Sequence, residues 1–179
     1  MPEGMRSARL LEESIRSIQE LVCEITQSVT ELPEDVLRWK PAEDIWSITE
    51  ILGHVEEAAP YWAGEIQRVV ANPSAGWGRN HHDDARLAAV VATSQRSTRE
   101  LIGGFTKAAN DVVSTLRTLR EDSLQIESAS RNPRWGVKPM SFVLDHLIVC
   151  HMRGHRDQIM RNLNQFSARR VSSSISSRG

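Results

Sequence analysis

Two histidines near the carboxyl end of the chain, His151 and His155, stand four residues apart. Four residues of an α-helix advance by about 400°, so both side chains point to nearly the same side and can reach one ion. Surface histidines also occur at this spacing by chance. Leu147, Ile148 and Ile159 share much of the same face, which predicts that both imidazoles turn inward. A buried imidazole needs a hydrogen-bond partner or a metal.

A third histidine, His54, lies in a different helical pattern. Ile51 and Ala58 share its face, and Glu50 and Glu57 lie within about one turn of it. Taken alone, His54 is best interpreted as a histidine at the edge of the core, satisfied by a glutamate. An inward-facing pair on another helix of the same bundle changes that balance, because bundles build metal sites from side chains on facing helices.

The other histidines are not predicted to bind this ion. His146 is five residues before His151, about 140° around an α-helix, and is interpreted as a boundary residue. His81 and His82 lie in a glycine-containing loop and are most simply solvated.

Composition favours one globular domain. The chain has 179 residues, of which 40% are apolar and 25% charged, and its formal net charge is −1. This balance gives no reason to expect nucleic-acid binding, which usually requires a basic face. No run is long enough to cross a membrane, and no signal peptide is apparent, so a cytoplasmic location is expected. Cys23 and Cys150 form no CxxC pair and are interpreted as small buried hydrophobic residues.

Four long helical patterns, with no convincing strand pattern between them, predict an all-α four-helix bundle with long inter-helix connectors. Residues 1–166 are expected to form the bundle, and the serine-rich residues 167–179 a disordered tail. The length of the connectors leaves the topology open. The helices are predicted at about 7–31, 47–72, 84–120 and 140–165.

Local signals refine two of these helices. Ser47 is the expected N-cap of the second helix, with Glu50 completing a capping box. Pro60 predicts a kink in that helix. The pair Gly103-Gly104 is expected to interrupt the third helix.

Two runs of sequence, LRWKPAEDIWSITEILGHVEE and DHLIVCHMRGHRDQIMRNL, resemble the DinB/YfiT-like superfamily of metal-binding four-helix bundles. The family pattern has a Trp-Ser helix start, a histidine soon after it, and a later H-x-x-x-H-R-x-Q-[IL]. The resemblance covers about residues 10–165. The matching positions are Trp46, Ser47, His54, His151, His155, Arg156, Gln158 and Ile159.

This resemblance implies that His54, His151 and His155 bind one divalent metal, most often zinc or nickel. It also implies a homodimer and an enzyme that uses a low-molecular-weight thiol of the bacillithiol or mycothiol type. The sequence departs from the pattern at Asp157, where a glycine is common. Gly154 lies instead between the two histidines, where its missing side chain is expected to alter the pocket.

Three neutral imidazoles would leave a divalent ion with its full charge and at least one open position, which is typical of catalytic sites. The first hypothesis is a thiol S-transferase acting on a small electrophile. The second is a metal-dependent hydrolase, and the third a non-catalytic dimeric bundle that binds a metal or ligand. Supporting roles are assigned to acids that could orient the imidazoles (Glu50, Glu57, Asp157) and to arginines that could meet a carboxylate (Arg153, Arg156). Trp46 is interpreted as a core anchor.

Overall fold

The computed structural model describes residues 10–79 and 84–176, and their dominant feature is a bundle of four long helices. Three of these are α1 (Leu10–Val29), α3 (Ile48–Ala71) and α5 (Thr98–Leu116). The fourth, here called the C-terminal helix, covers residues 140–176. The predicted all-α four-helix bundle is confirmed.

The long helices pack in a ring. α1 packs against α5, α5 against α3, α3 against the C-terminal helix, and the C-terminal helix against α1. The first two long helices along the chain, α1 and α3, therefore occupy opposite corners of the bundle. The connector between them contains the short helix α2 (Glu34–Arg38) and is long enough to cross the bundle.

The sequence explains the bounds of α1 and α3. The buried residues of α1 recur at three- and four-residue steps, as a helix with one core-facing stripe requires. At its first described turn, the Glu121 carboxylate accepts hydrogen bonds from the backbone N–H groups of Leu10 and Leu11. α3 begins with the predicted capping box, in which Ser47 and Glu50 bond to each other's backbone N–H groups. Pro60 lies inside α3, which continues to Ala71.

The third predicted helix is two helices, and the expected position of its interruption was wrong. α4 (Asp84–Ala92) ends in a 3₁₀ turn at Thr93–Gln95, and α5 starts from a second capping box formed by Ser97 and Glu100. Both glycines lie within α5. Gly104 serves packing instead, because a Cβ there would collide with the Glu56 side chain on α3.

A small hairpin precedes the C-terminal helix, where no strand was predicted. Antiparallel strands β1 (Glu127–Ala129) and β2 (Val137–Pro139) follow a 3₁₀ turn at Glu121–Gln125. The fully buried Trp77 fixes this hairpin to the end of α3, since its indole N–H donates to the Ser128 carbonyl at 2.9 Å.

The C-terminal helix changes its winding before it reaches the histidine pair. Short α6 (Met140–Phe142) leads into a π-helical segment, Val143–Val149, and then into α7 (Cys150–Ser176). π-Helical turns in proteins occur frequently at functional sites. The helix extends past residue 166 to Ser176. Residues 177–179 lie outside the described part of the chain. The domain boundary at residue 166 and the disordered tail at 167–179 stay predictions.

Both cysteines are exposed, so the prediction that they are buried was wrong. Cys23 lies about 200° around α1 from both Leu21 and Ile25, on the side away from the buried stripe. None of the helices in the described ranges combines the length and apolar character needed to span a bilayer.

Candidate metal centre

The three predicted histidines lie together, where α3 faces the C-terminal helix. His54 is two turns into α3 and is 5% exposed, whereas His151 and His155 lie in the first turns of α7 and are half-buried. The capping box fixes where α3 begins and hence which face His54 presents. Residues nearly a hundred positions apart in the chain therefore form one cluster.

The ring nitrogens of this cluster converge on a common point. His151 Nε2 lies 3.1 Å from His54 Nε2 and 3.0 Å from His155 Nε2. One ligand nitrogen from each ring lies within 4.8 Å of the other two. Nitrogens bound to a tetrahedral zinc ion are about 3.3 Å apart, given bonds of about 2.0–2.1 Å. The observed spacing fits this arrangement.

The orientation of the rings fits shared ligation as well. The planes of His151 and His155 are inclined at 80°, and that of His54 is inclined at 89° to His151 and 73° to His155. The rings thus meet edge to edge at their nitrogens and do not stack.

Hydrogen bonds between the rings do not account well for the close approach of these three nitrogens. A neutral imidazole has one N–H and one lone pair, on different nitrogens. His151 Nε2 approaches both neighbouring Nε2 atoms, yet it offers either one proton or one lone pair. A common cation would instead use a lone pair from each ring. The donor set therefore fits a divalent metal, and imidazole suits zinc, nickel, copper and iron.

Gln158 orients one of the rings. Its Oε1 lies 3.2 Å from His155 Nδ1, so Nδ1–H donates to the amide oxygen. This tautomer leaves the lone pair on Nε2, the nitrogen that faces the cluster. Metal-binding histidines commonly donate their second N–H in this manner. Gln158 matches the family pattern, but the role of its amide became visible only in the structure.

The three acids expected to orient the imidazoles contact other groups. Glu50 accepts from the Ser47 backbone in the capping box and pairs with Lys40. Glu57 forms a two-pronged ion pair with Arg79, and Asp157 pairs with its neighbour Arg156. Each of the three carboxylates is therefore paired with a basic side chain.

Trp46 packs against the core, as expected, and also lines the cluster. Its ring lies 4.9 Å from the His54 ring and is stacked at 18° on His155, at a centroid distance of 6.2 Å. The sequence interpretation missed this contact. The spacing gave no signal for it, because eight residues of helix separate two positions by about 12 Å along the axis.

The remaining predicted residues fall outside the cluster. His146 is exposed and stacks on Phe142. Arg153 is exposed, and Arg156 binds Glu24 on α1. Gly154 is exposed, and a Cβ there would meet no atom within 4 Å; its effect on the pocket stays a prediction. His81 and His82 lie outside the described residues.

Solved structures with this fold include a probable hydrolase and an isomerase. YfiT from Bacillus subtilis, described as a probable metal-dependent hydrolase with an unusual four-helix bundle topology, aligns with a TM-score of 0.73 and 11% identity. That alignment covers 88% of this chain and 87% of YfiT. A mycothiol-dependent maleylpyruvate isomerase aligns with a TM-score of 0.65 and 14% identity, over 83% of this chain. The chain spans only 60% of the length of that isomerase.

No curated protein sequence matches the chain. A sequence model of the DinB superfamily matches residues 23–159, well over half of the chain, and this range contains all three clustered histidines. Sequence and fold thus agree, and the chain belongs to the DinB superfamily.

Proposed function

We propose that His54, His151 and His155 bind one divalent metal and that the protein is a metal-dependent enzyme. One observation carries this proposal: His151 Nε2 lies 3.1 Å from His54 Nε2 and 3.0 Å from His155 Nε2, so ring nitrogens from two helices gather in one cluster. The resemblance to a probable metal-dependent hydrolase and to a mycothiol-dependent isomerase supports it, although at these identities the likeness establishes the fold alone.

The residues around the cluster have distinct tasks. The three imidazoles would hold the ion, Gln158 would fix the tautomer of His155, and Trp46, whose ring contacts those of His54 and His155, would cover one side of the site. A divalent metal held by three neutral ligands supplies a Lewis acid with an open position, which makes a bound thiol or water more acidic.

For the reaction we favour S-transfer from a low-molecular-weight thiol to a small electrophile. The thiol proton passes to solvent, and a sulfur electron pair forms the bond to the electrophilic carbon. The leaving group departs with the electrons of its former bond to that carbon. The thiol dependence of the solved isomerase supports this choice.

Thiol consumption tests the reaction. Apo-protein reconstituted with zinc or nickel is mixed with monochlorobimane and a series of thiols, and the fluorescent adduct is followed. We expect the metal to accelerate the reaction with at least one thiol. This acceleration should be lost in His151→Ala and retained in the control His146→Ala. Equal rates with apo- and metal-loaded protein for every thiol would contradict the S-transfer proposal.

A second candidate is metal-dependent hydrolysis, with water in place of the thiol. It is favoured by the likeness to YfiT, which covers nearly all of both chains. Metal-dependent release of p-nitrophenol from activated esters, without thiol and absent in His151→Ala, would support it. A stoichiometric metal with neither activity would favour the non-catalytic bundle.

A homodimer and a cytoplasmic location stay predictions. Light scattering coupled to size exclusion measures the mass of the particle directly. A mass near twice the 20.1 kDa of one chain is expected for a dimer.

A further inference from the structure

A buried amide links the two helices that carry the histidines. Asn162 on α7 is 3% exposed, and its Nδ2 donates to the Trp46 carbonyl at 2.8 Å. Trp46 directly precedes the N-cap of α3. The hydrogen bond therefore connects the start of one histidine-bearing helix to the body of the other, across 116 positions of sequence.

This hydrogen bond and the histidine cluster are two separate contacts between the same pair of helices. Asn162 is seven residues beyond His155, and Trp46 is eight residues before His54. Trp46 contacts Asn162, whereas the later residue His54 contacts the earlier residue His151. The two helices therefore run antiparallel here. Seven residues turn by about 700°, so Asn162 and His155 lie within about 20° of one face, roughly 10 Å apart along the axis.

We infer that Asn162 is a positioning residue that sets the register of α3 against the C-terminal helix and thereby the metal affinity of the cluster. The inference rests on the proposed metal site. A slip by one residue would move His54 by about 1.5 Å and turn it by about 100°. Metal–ligand distances tolerate only about 0.2 Å, so the register must be fixed closely.

Burial makes this link suited to the task. If its partner moved, the buried Nδ2–H would lose this hydrogen bond and could not replace it with one to water. The bonded carbonyl belongs to Trp46, whose ring lies against both His54 and His155. Asn162 therefore also holds the residue that lines the cluster.

Metal affinity tests the inference. Apo forms of the wild type, Asn162→Ala and Asn164→Ala are titrated with zinc against a chromophoric chelator. Asn164 is exposed on the same helix, so its replacement is a matched control. We expect Asn162→Ala to weaken zinc binding by about 10- to 100-fold, as loss of residues that support metal ligands does. Asn164→Ala should bind like the wild type.

Cobalt spectra separate positioning from general stability. Asn162→Ala should shift the visible absorption bands of the cobalt-loaded protein, whereas loss of stability alone would lower the Tm and leave both the bands and the zinc Kd unchanged. Asn162→Gln, which keeps an amide donor, should recover part of the affinity and serves if the alanine variant does not fold. Wild-type affinity and bands in Asn162→Ala would overturn the inference alone. Absence of zinc binding in the wild type would overturn the proposed function.

Discussion

The two sides of the bundle differ in the side chains that fill their helix–helix interfaces. Where α3 faces the C-terminal helix, the interface contains His54, His151 and His155, with a buried Asn162 nearby. Where α1 faces α5, the interior is apolar, and the surface opens into a groove of about 330 Å³. None of the groove-lining residues belongs to the histidine cluster.

This difference assigns folding stability mainly to one side of the bundle and the proposed metal chemistry to the other. Apolar burial is non-directional and tolerates small shifts, so the α1–α5 side can supply folding free energy without exact positions. Three ligands for one ion require fixed directions, and the α3–C-terminal side has directional links in Gln158 and Asn162. Substitutions on the two sides should therefore change different observables.

The largest effect is expected from His54→Ala. One of three ligands is lost, so zinc affinity should fall by at least about 100-fold, beyond what loss of a supporting residue causes. Metal content after dialysis, measured by inductively coupled plasma mass spectrometry, should drop from about one equivalent to near zero. His146→Ala, an exposed histidine of the C-terminal helix, should retain the metal. Equal metal content in both variants would contradict the assignment of His54 as a ligand.

Ile18→Ala probes the opposite side. Ile18 is fully buried on α1 and lines the groove, and its truncation should lower the free energy of unfolding by about 2–5 kcal/mol. Urea denaturation of the apo-protein measures the loss. The zinc Kd of the folded variant should equal that of the wild type. If this substitution also weakened zinc binding tenfold, core packing and the metal centre would be coupled.

The adjacent glycines of α5 sharpen the comparison. Gly103→Ala should raise the free energy of unfolding by about 1 kcal/mol, since a Cβ there meets nothing and alanine favours the helix. Gly104→Ala should lack that gain, because its Cβ would displace Glu56, which pairs with Arg96. Thermal denaturation of the two variants measures the difference. Equal stabilisation by both would show that α5 and α3 are not in close contact here.

The smallest effect concerns the cap of α5 and depends on pH. Hydrogen bonds from the Ser97 hydroxyl and backbone N–H hold the pKa of the Glu100 carboxyl below its ordinary value. A lowered folded-state pKa contributes stability above the unfolded-state pKa, and this is lost as pH falls through the folded-state value. Ser97→Ala should raise the Glu100 pKa, measured by carboxyl NMR titration.

The stability curves of wild type and Ser97→Ala should approach each other as the solution is acidified, because protonated Glu100 no longer distinguishes them. A gap that stays constant with pH would assign the cap to the hydrogen bond from the Glu100 backbone N–H to Ser97 Oγ alone. Zinc affinity should not change in this variant.

Local chemistry made part of this structure predictable. The Ser47–Glu50 box and the four-residue spacing of His151 and His155 depend on neighbours in sequence, and both were read correctly. The break before Ser97 was missed although its own capping box was present, because the glycines suggested another place. Strands of three residues, such as β1, carry too little pattern to recognise.

Other features depend on contacts that no local pattern encodes. The π-helical segment alters the angular relation of residues before and after it, so α-helical periodicity cannot reveal it. The partners of Glu57 and of the Trp46 carbonyl come from distant parts of the chain, Arg79 and Asn162. The arrangement of helices around the ring likewise follows from packing, since long connectors permit several orders.

Anomalous diffraction at the zinc edge, from crystals of the metal-loaded protein, tests the central claim most directly. One peak is expected about 2.0–2.1 Å from the Nε2 atoms of His54, His151 and His155 together. A peak bound to only one of these rings, or zinc sites found solely elsewhere on the surface, would contradict it.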